Sequence, residues 1–162
     1  MAPKNQEHSL TLAFKNADPR PKQGDDRSKK KNYAEKLSRE LARVMADALR
    51  PSFKGILPDE TGQGQESRAR TSKGFKKLDV NYSTPQLGLA LGISIKTINF
   101  ADAKTKRFTK NYTRNENELR AEAMDYHKRQ PWAVLVAVIF LPVTSCDDAS
   151  HCLLYTSPSP RD

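Results

Sequence analysis

An apolar segment rich in β-branched residues, Ala133 to Leu141, lies between Pro131 and Pro142. A helix that crosses a membrane needs roughly twenty apolar residues, so this segment is too short to span a bilayer. Its composition and its two flanking prolines instead predict a central strand, buried on both faces of a sheet. The polar residues that follow Met1 do not form a signal peptide. We therefore expect no membrane partner and a cytoplasmic location.

Two further predicted strands carry polar residues among apolar ones. The first runs over Gly74–Val80 and contains Asp79. The second runs over Leu87–Phe100 and contains Ser94 and Lys96. Side chains two residues apart in a strand point to one face, so Ser94 and Lys96 face the same way and a neighbouring strand brings Asp79 beside them. A hairpin with solvated polar residues on one face explains the same pattern.

The series Asp79, Ser94 and Lys96 resembles the "D … (E/S)-x-K" signature of the PD-(D/E)xK nucleases, the restriction-endonuclease-like superfamily. The resemblance implies that Asp79 binds Mg²⁺ beside the Lys96 ammonium group. Bound Mg²⁺ polarises a phosphodiester and helps to generate hydroxide, while the lysine stabilises developing charge or orients the attacking water.

The order of the predicted elements agrees with that superfamily. Apolar residues at helical spacing predict a first helix, and proline and glycine positions separate the segments that follow it. We expect an α/β fold with the restriction-endonuclease-like αβββαβ core, a mixed central sheet flanked by helices, and a truncated C-terminus. The elements are a helix at 33–49, strands at 53–57, 74–80 and 87–100, a helix at 116–129 and a strand at 132–141.

Serine at position 94 departs from the commoner family pattern, in which an acidic residue stands there. A serine hydroxyl is a poor ligand for Mg²⁺, and some branches of the superfamily supply the second carboxylate from the following helix. Glu118 is the preferred substitute and Glu122 the next, both as catalytic residues. Ordinary roles compete for each, because Asn115 is expected to cap this helix with Glu118 in its first turn.

The chain carries a formal net charge of +9, which favours a polyanionic partner. Two basic stretches are candidate nucleic-acid contacts, one in a predicted loop at 58–73 and one at 102–114. Aromatic residues interleave with the cations of the second stretch, as in loops that contact phosphate and sugar. Solvated surface segments explain the same residues. The candidates are Arg68, Arg70 and Lys73, and then Lys104, Lys106, Arg107, Lys110 and Arg114.

Three regions are predicted. Residues 1–31 are polar and form a flexible basic arm, and residues 32–151 form a truncated nuclease-like domain. The last region, Cys152–Asp162, resembles a translation of the transposase mosaic end and adapter used in sequencing-library preparation. We expect it to be an artefact tail that packs against nothing, with the native C-terminus missing. Without this tail Cys146 stands alone, so no intramolecular disulfide is expected.

These observations predict a Mg²⁺-dependent DNA endonuclease of the restriction type, with DNA as its partner and a homodimer as one assembly state. Two alternatives remain open. The first is a catalytically degenerate DNA-binding module of the same fold, which Ser94 favours. The second is a basic RNA-associated structural protein without an active site.

Overall fold

The computed structural model describes the backbone of residues 4–147 and the side chains of residues 10–146. Within this range the chain is mixed α/β with two open sheets, which confirms the expected class and the mixed sheet. The expected adapter tail lies outside the described residues. The elements are α1 (Lys4–Ala17), α2 (Arg27–Leu49), β1 (Ser67–Thr71), β2 (Gly74–Leu78), β3 (Val80–Thr84), β4 (Gly88–Thr97), α3 (Thr109–His127), β5 (Val134–Phe140) and a 3₁₀ helix (Val143–Asp147).

The larger sheet has the strand order β3-β4-β5, in which β4 is antiparallel to β3 and parallel to β5. A parallel pair needs a crossover connection, and α3 provides it. Strands β1 and β2 form a separate antiparallel hairpin, and only Asp79 separates β2 from β3. None of the helices in the described range is both long enough and apolar enough to cross a membrane.

The two faces of the larger sheet pack against different helices. On one face Ile93 and Ile95 join a core with Leu37 and Leu41 of α2. On the other face Tyr126 of α3 packs in a second cluster of buried residues from β2 and β4. Ser94 and Lys96 alternate with Ile93 and Ile95 along the strand, so they lie on the opposite face, on the α3 side.

Residues 4–17 form a helix within the region for which a flexible arm was predicted. Helix α1 buries Ala13 and Ala17, which are 2% exposed, in the core that includes α2. Small alanines allow the two helices to approach closely. The second helix also begins earlier than Tyr33, because the Asp26 side chain accepts a hydrogen bond from the Lys29 amide and caps it.

The first strand lies elsewhere than predicted. Residues 53–57 form a turn that joins the sheet only through an isolated bridge between Leu57 and Asn81. The predicted loop at 58–73 instead contains β1, whose inward residues are Ala69 and Thr71. Hydrogen bonding to β2 therefore defines this strand more than apolar content does.

The last strand is present, but it does not lie at the centre of the sheet, where it was predicted. Strand β5 lies at the edge of the sheet, and Val134 and Val136 are 58% and 40% exposed. The start of α3 also differs from the prediction, since the helix begins at Thr109 and Asn115 lies within it. The side-chain amide of Asn115 donates to the backbone carbonyl of Asn111, one turn earlier, instead of capping the helix.

Candidate functional site

Asp79 is held at the junction of β2 and β3 by hydrogen bonds to β4. Its backbone amide donates to the carbonyl of Ile93 at 3.1 Å. Its side-chain Oδ2 accepts a hydrogen bond from the Ile95 amide at 2.6 Å. The carboxylate thus takes the place of a backbone carbonyl and is fixed against the strand segment that contains Ser94.

Asp79, Ser94 and Lys96 line one open cleft of about 420 Å³ on the α3 side of the sheet. The structure therefore brings together the three residues of the sequence signature. Four other charged side chains also line this cleft, and they come from the residue before β1, from β2 and from α3. They are Glu66, Lys76, Lys77 and Glu122.

The electrostatic environment of Asp79 opposes its ionisation. Burial raises the pKa of the Asp79 carboxyl above its usual value, and Glu66 and Glu122 add repulsion in the same direction. The Ile95 amide and the Lys96 ammonium act in the opposite direction. A cation bound in this cleft is expected to favour the charged carboxylate.

Lys96 is half-buried and forms an ion pair with Glu118, with Nζ to Oε2 at 3.7 Å. Glu118 also approaches Arg114 at 3.8 Å and is itself exposed. Of the two glutamates expected to replace the missing acid, Glu122 lines the cleft with Asp79. Glu118 contacts the lysine from outside it.

Glu66 is a cleft residue that the sequence analysis missed. It precedes β1 with a φ of 53°, and its Oε2 lies 2.6 Å from the Lys77 Nζ. This hydrogen bond holds the pKa of Glu66 below its usual value. Ser67, the next residue, pairs with Leu78, and this pairing places Glu66 at the cleft. No local sequence pattern predicts the hairpin that contains this pair.

The residues of the cleft fit a sparse Mg²⁺ site. Among the described residues, no group of three or more His, Cys, Asp or Glu side chains could hold a metal ion. Mg²⁺ does not require such a cage, because it commonly uses one or two carboxylates together with waters and substrate phosphate oxygens. Asp79 and Glu122 are the carboxylates that could hold the ion here.

The basic residues Lys104, Lys106 and Arg107 lie in an exposed loop. Asp102 organises it by accepting hydrogen bonds from the amides of Lys104 and Thr105, both at 3.0 Å. These bonds lower the pKa of Asp102 to about 2. Lys110 lies near the start of α3 and pairs with Asp102 at 3.5 Å, so its charge is partly neutralised.

The other predicted basic contacts are divided between hairpin and turn. Arg68 and Arg70 are exposed on β1, and the Arg70 guanidinium stacks over the Phe75 ring at 5.4 Å. Lys73 pairs with the buried Asp125 at 3.7 Å. Arg68, Arg70 and Lys73 therefore belong to the β1–β2 hairpin and not to the loop predicted at 58–73.

Comparison of the chain with models of known families, with curated proteins and with solved structures gives no match.

Proposed function

We propose that this protein is a Mg²⁺-dependent DNA endonuclease of the PD-(D/E)xK type, which hydrolyses phosphodiester bonds. The observation that carries the proposal is the shared cleft of Asp79, Ser94, Lys96 and Glu122. A carboxylate of raised pKa beside an ammonium group, in an open cleft, is typical of catalytic sites, where perturbed pKa values cluster.

The residues of the cleft divide the chemical roles. Asp79 and Glu122 would hold the ion, which when bound polarises the phosphodiester and neutralises developing charge. The Ile95 amide fixes the orientation of Asp79. Lys96 stabilises negative charge on the phosphate or orients the attacking water, and its ion pair with Glu118 restrains the ammonium group.

The surface charge supports a nucleic-acid substrate. The net charge of +9 attracts a polyanion, and Lys104, Lys106 and Arg107 are exposed on the loop that follows β4. Lys96 lies near the end of that strand, so the cleft and the loop are close along the chain. DNA bound by this loop would therefore lie beside the end of β4 that contains Lys96.

A second candidate function is a DNA-binding module of similar fold without hydrolytic activity. Ser94 favours it, because its hydroxyl replaces the acidic residue that usually supports the metal.

Nicking of supercoiled plasmid distinguishes the two functions. We expect nicking by the purified chain in Mg²⁺, none in EDTA, and none by the Asp79→Asn variant in either. Retarded migration of DNA without nicking would favour the binding module. If the chain neither binds nor nicks DNA, both functions are overturned and a basic structural protein remains.

A further inference from the structure

A second cleft, of about 490 Å³, lies between helix α2 and the linker that joins α1 to α2. Lys29, Tyr33 and Lys36 form one wall, and their spacing places them on one face of the helix. Arg20 and Lys22 of the linker form the other wall. The cleft is in the size range of small-molecule sites, which begins at about 300 Å³.

Tyr33 is the residue of this cleft that indicates a ligand. Its side chain is only 6% exposed, yet its hydroxyl has no hydrogen-bond partner among the described residues. Arg20 and Asp18, which line the cleft, both act on this hydroxyl electrostatically. Burial raises the pKa of Tyr33, so the hydroxyl stays protonated and can donate. The described polar atoms that are sealed from solvent without a partner do not include this hydroxyl, so it is open to the cleft and can donate to a ligand there.

The charge of the cleft is predominantly positive. Arg20 donates to the carbonyl of Asn99 at 3.0 Å and Lys36 to that of Asp18 at 3.3 Å, so both cations are held in place by neutral groups. Within the described part of the chain, Lys22 and Lys29 form no ion pair through their ammonium groups.

Two acidic residues also line the cleft, and they do not cancel the four cations. Asp25 uses Oδ2 to accept a hydrogen bond from the backbone amide of Lys22 at 2.7 Å, so it is engaged within the linker. Asp18 is the other acid. The excess of cations, together with a phenol donor, suits an anion that accepts several hydrogen bonds at once.

We propose that this cleft binds a phosphate ester, with the Tyr33 hydroxyl and the Lys22 and Lys29 ammonium groups donating to the phosphate oxygens. Pro19 and Pro21 line the same cleft and offer apolar surface to the body of the ligand. The site is separate from the proposed nuclease cleft, since α2 and α3 cover opposite faces of the sheet. A free nucleotide and a nucleic-acid phosphate share this chemistry.

Isothermal titration of the whole chain tests the proposal with four probes: inorganic phosphate, a 5′-mononucleotide, the matching nucleoside and a short single-stranded oligonucleotide. We expect saturable binding of the mononucleotide, competition by inorganic phosphate and no binding of the nucleoside. Saturable binding of the oligonucleotide alone would identify nucleic-acid phosphate as the source, provided that the variants below weaken it. Equal binding of nucleoside and mononucleotide would overturn the proposal.

Two variants and one matched control locate the binding. Tyr33→Phe removes only the hydroxyl, and the loss of one hydrogen bond to a charged acceptor is expected to raise Kd about tenfold. Lys29→Gln should also raise Kd. Lys31→Gln removes the same charge two residues away, at an ammonium that pairs with Glu35 outside the cleft, and should leave Kd unchanged. If all three variants bind like the wild type, or if the control weakens binding as much as Lys29→Gln, the cleft is not the site.

Thermal unfolding of each variant shows whether it remains folded. The Asp79→Asn variant separates this inference from the proposed nuclease function. It should lose nicking and keep mononucleotide binding, so failure of one function leaves the other open to test.

Discussion

The Oδ2 atom of Asp79 lies 2.6 Å from the backbone nitrogen of Ile95. This hydrogen bond joins the carboxylate to the residue between Ser94 and Lys96. The position of the carboxylate therefore depends on β4 as well as on the junction between β2 and β3. A side chain held in this way needs little reorganisation to bind a cation. The same hydrogen bond lowers the pKa of Asp79 and so opposes part of the increase that burial causes.

Lys96→Ala should reduce plasmid nicking by about a hundredfold or more, the loss typical of one removed stabilising group at a reacting centre. DNA affinity should change little, because Lys96 is one cation among many. Gel-shift titration and nicking rates measured side by side test this. Lys54→Ala, at an exposed turn, is the matched control and should alter neither. Normal nicking by Lys96→Ala would show that the assignment of the active site is wrong.

Neutralising the exposed loop should have the opposite effect. Replacing Lys104, Lys106 and Arg107 by glutamine should weaken DNA binding for all sequences. The slope of log K against log salt should become shallower by about 0.9 for each phosphate group that the protein no longer neutralises. Adding Lys110→Gln should contribute less, because Asp102 already pairs with that ammonium. Binding titrations at several salt concentrations measure the slope, and an unchanged slope would exclude the loop from the DNA interface.

Glu122→Gln and Glu118→Gln should differ in their effects on nicking. Glu122 lines the cleft with Asp79 and would hold the ion, so its loss should lower the rate by at least about tenfold, the smallest loss typical of groups that support a metal ligand. Glu118 contacts Lys96 from outside the cleft, so its replacement should cause a smaller loss. Nicking rates over a Mg²⁺ titration measure both. A larger loss for Glu118→Gln would reverse the assignment.

Asp79→Asn should raise the melting temperature near neutral pH. Burial raises the folded-state pKa of Asp79, so ionisation of this carboxyl destabilises the fold as pH rises through that value. The difference between the variant and the wild type should vanish at a pH below the unfolded-state pKa, about 3.9. Thermal melts over this pH range measure the difference. A lower melting temperature at neutral pH would contradict the expected sign.

Asp102→Asn provides the matched comparison with the opposite sign. The folded-state pKa of Asp102 is lowered to about 2, so its ionised form stabilises the fold above the unfolded-state pKa. The variant should melt at a lower temperature near neutral pH. The difference should diminish as pH falls from about 3.9 towards the folded-state value.

Gln130→Ala should destabilise the fold by about 2 kcal/mol, because it leaves buried backbone groups without partners. The Gln130 side chain accepts from the Leu89 amide at 2.6 Å and donates to the Arg70 carbonyl at 2.7 Å, which ties the hairpin to β4. Urea unfolding measures the loss. Gln86→Ala, at an exposed turn, should change the free energy of unfolding little.

The sequence predicts those parts of the fold in which the alternation of apolar and polar side chains determines which face of a strand is buried. Ile93 and Ile95 alternate with Ser94 and Lys96, so their two faces follow directly from strand geometry. The cleft formed by these polar residues and Asp79 was expected for the same reason. The sequence analysis preferred Glu118, but which glutamate lines the cleft depends on how α3 packs, and strand alternation does not determine that packing.

The remaining elements escaped prediction because their inward residues are small or polar. Helix α1 packs through Ala13 and Ala17, while its larger apolar residues are exposed, so no apolar stripe marks it. Strand β1 buries only Ala69 and Thr71. Glu66 reaches the cleft through the pairing of β1 with β2, an interaction that depends on hydrogen bonds and not on composition.

The parallel pairing of β4 with β5 also affects how the protein is made. Leu91 pairs with Val134, so 134 − 91 = 43 positions along the chain separate these partners. Closing such a long connection costs chain entropy before the strand pairing contributes favourable contacts, and this slows folding. During synthesis Asp79 and Lys96 emerge well before Glu122 of α3. The nascent chain therefore holds an incomplete cleft until α3 has packed against the sheet, which delays the proposed activity until that helix is in place.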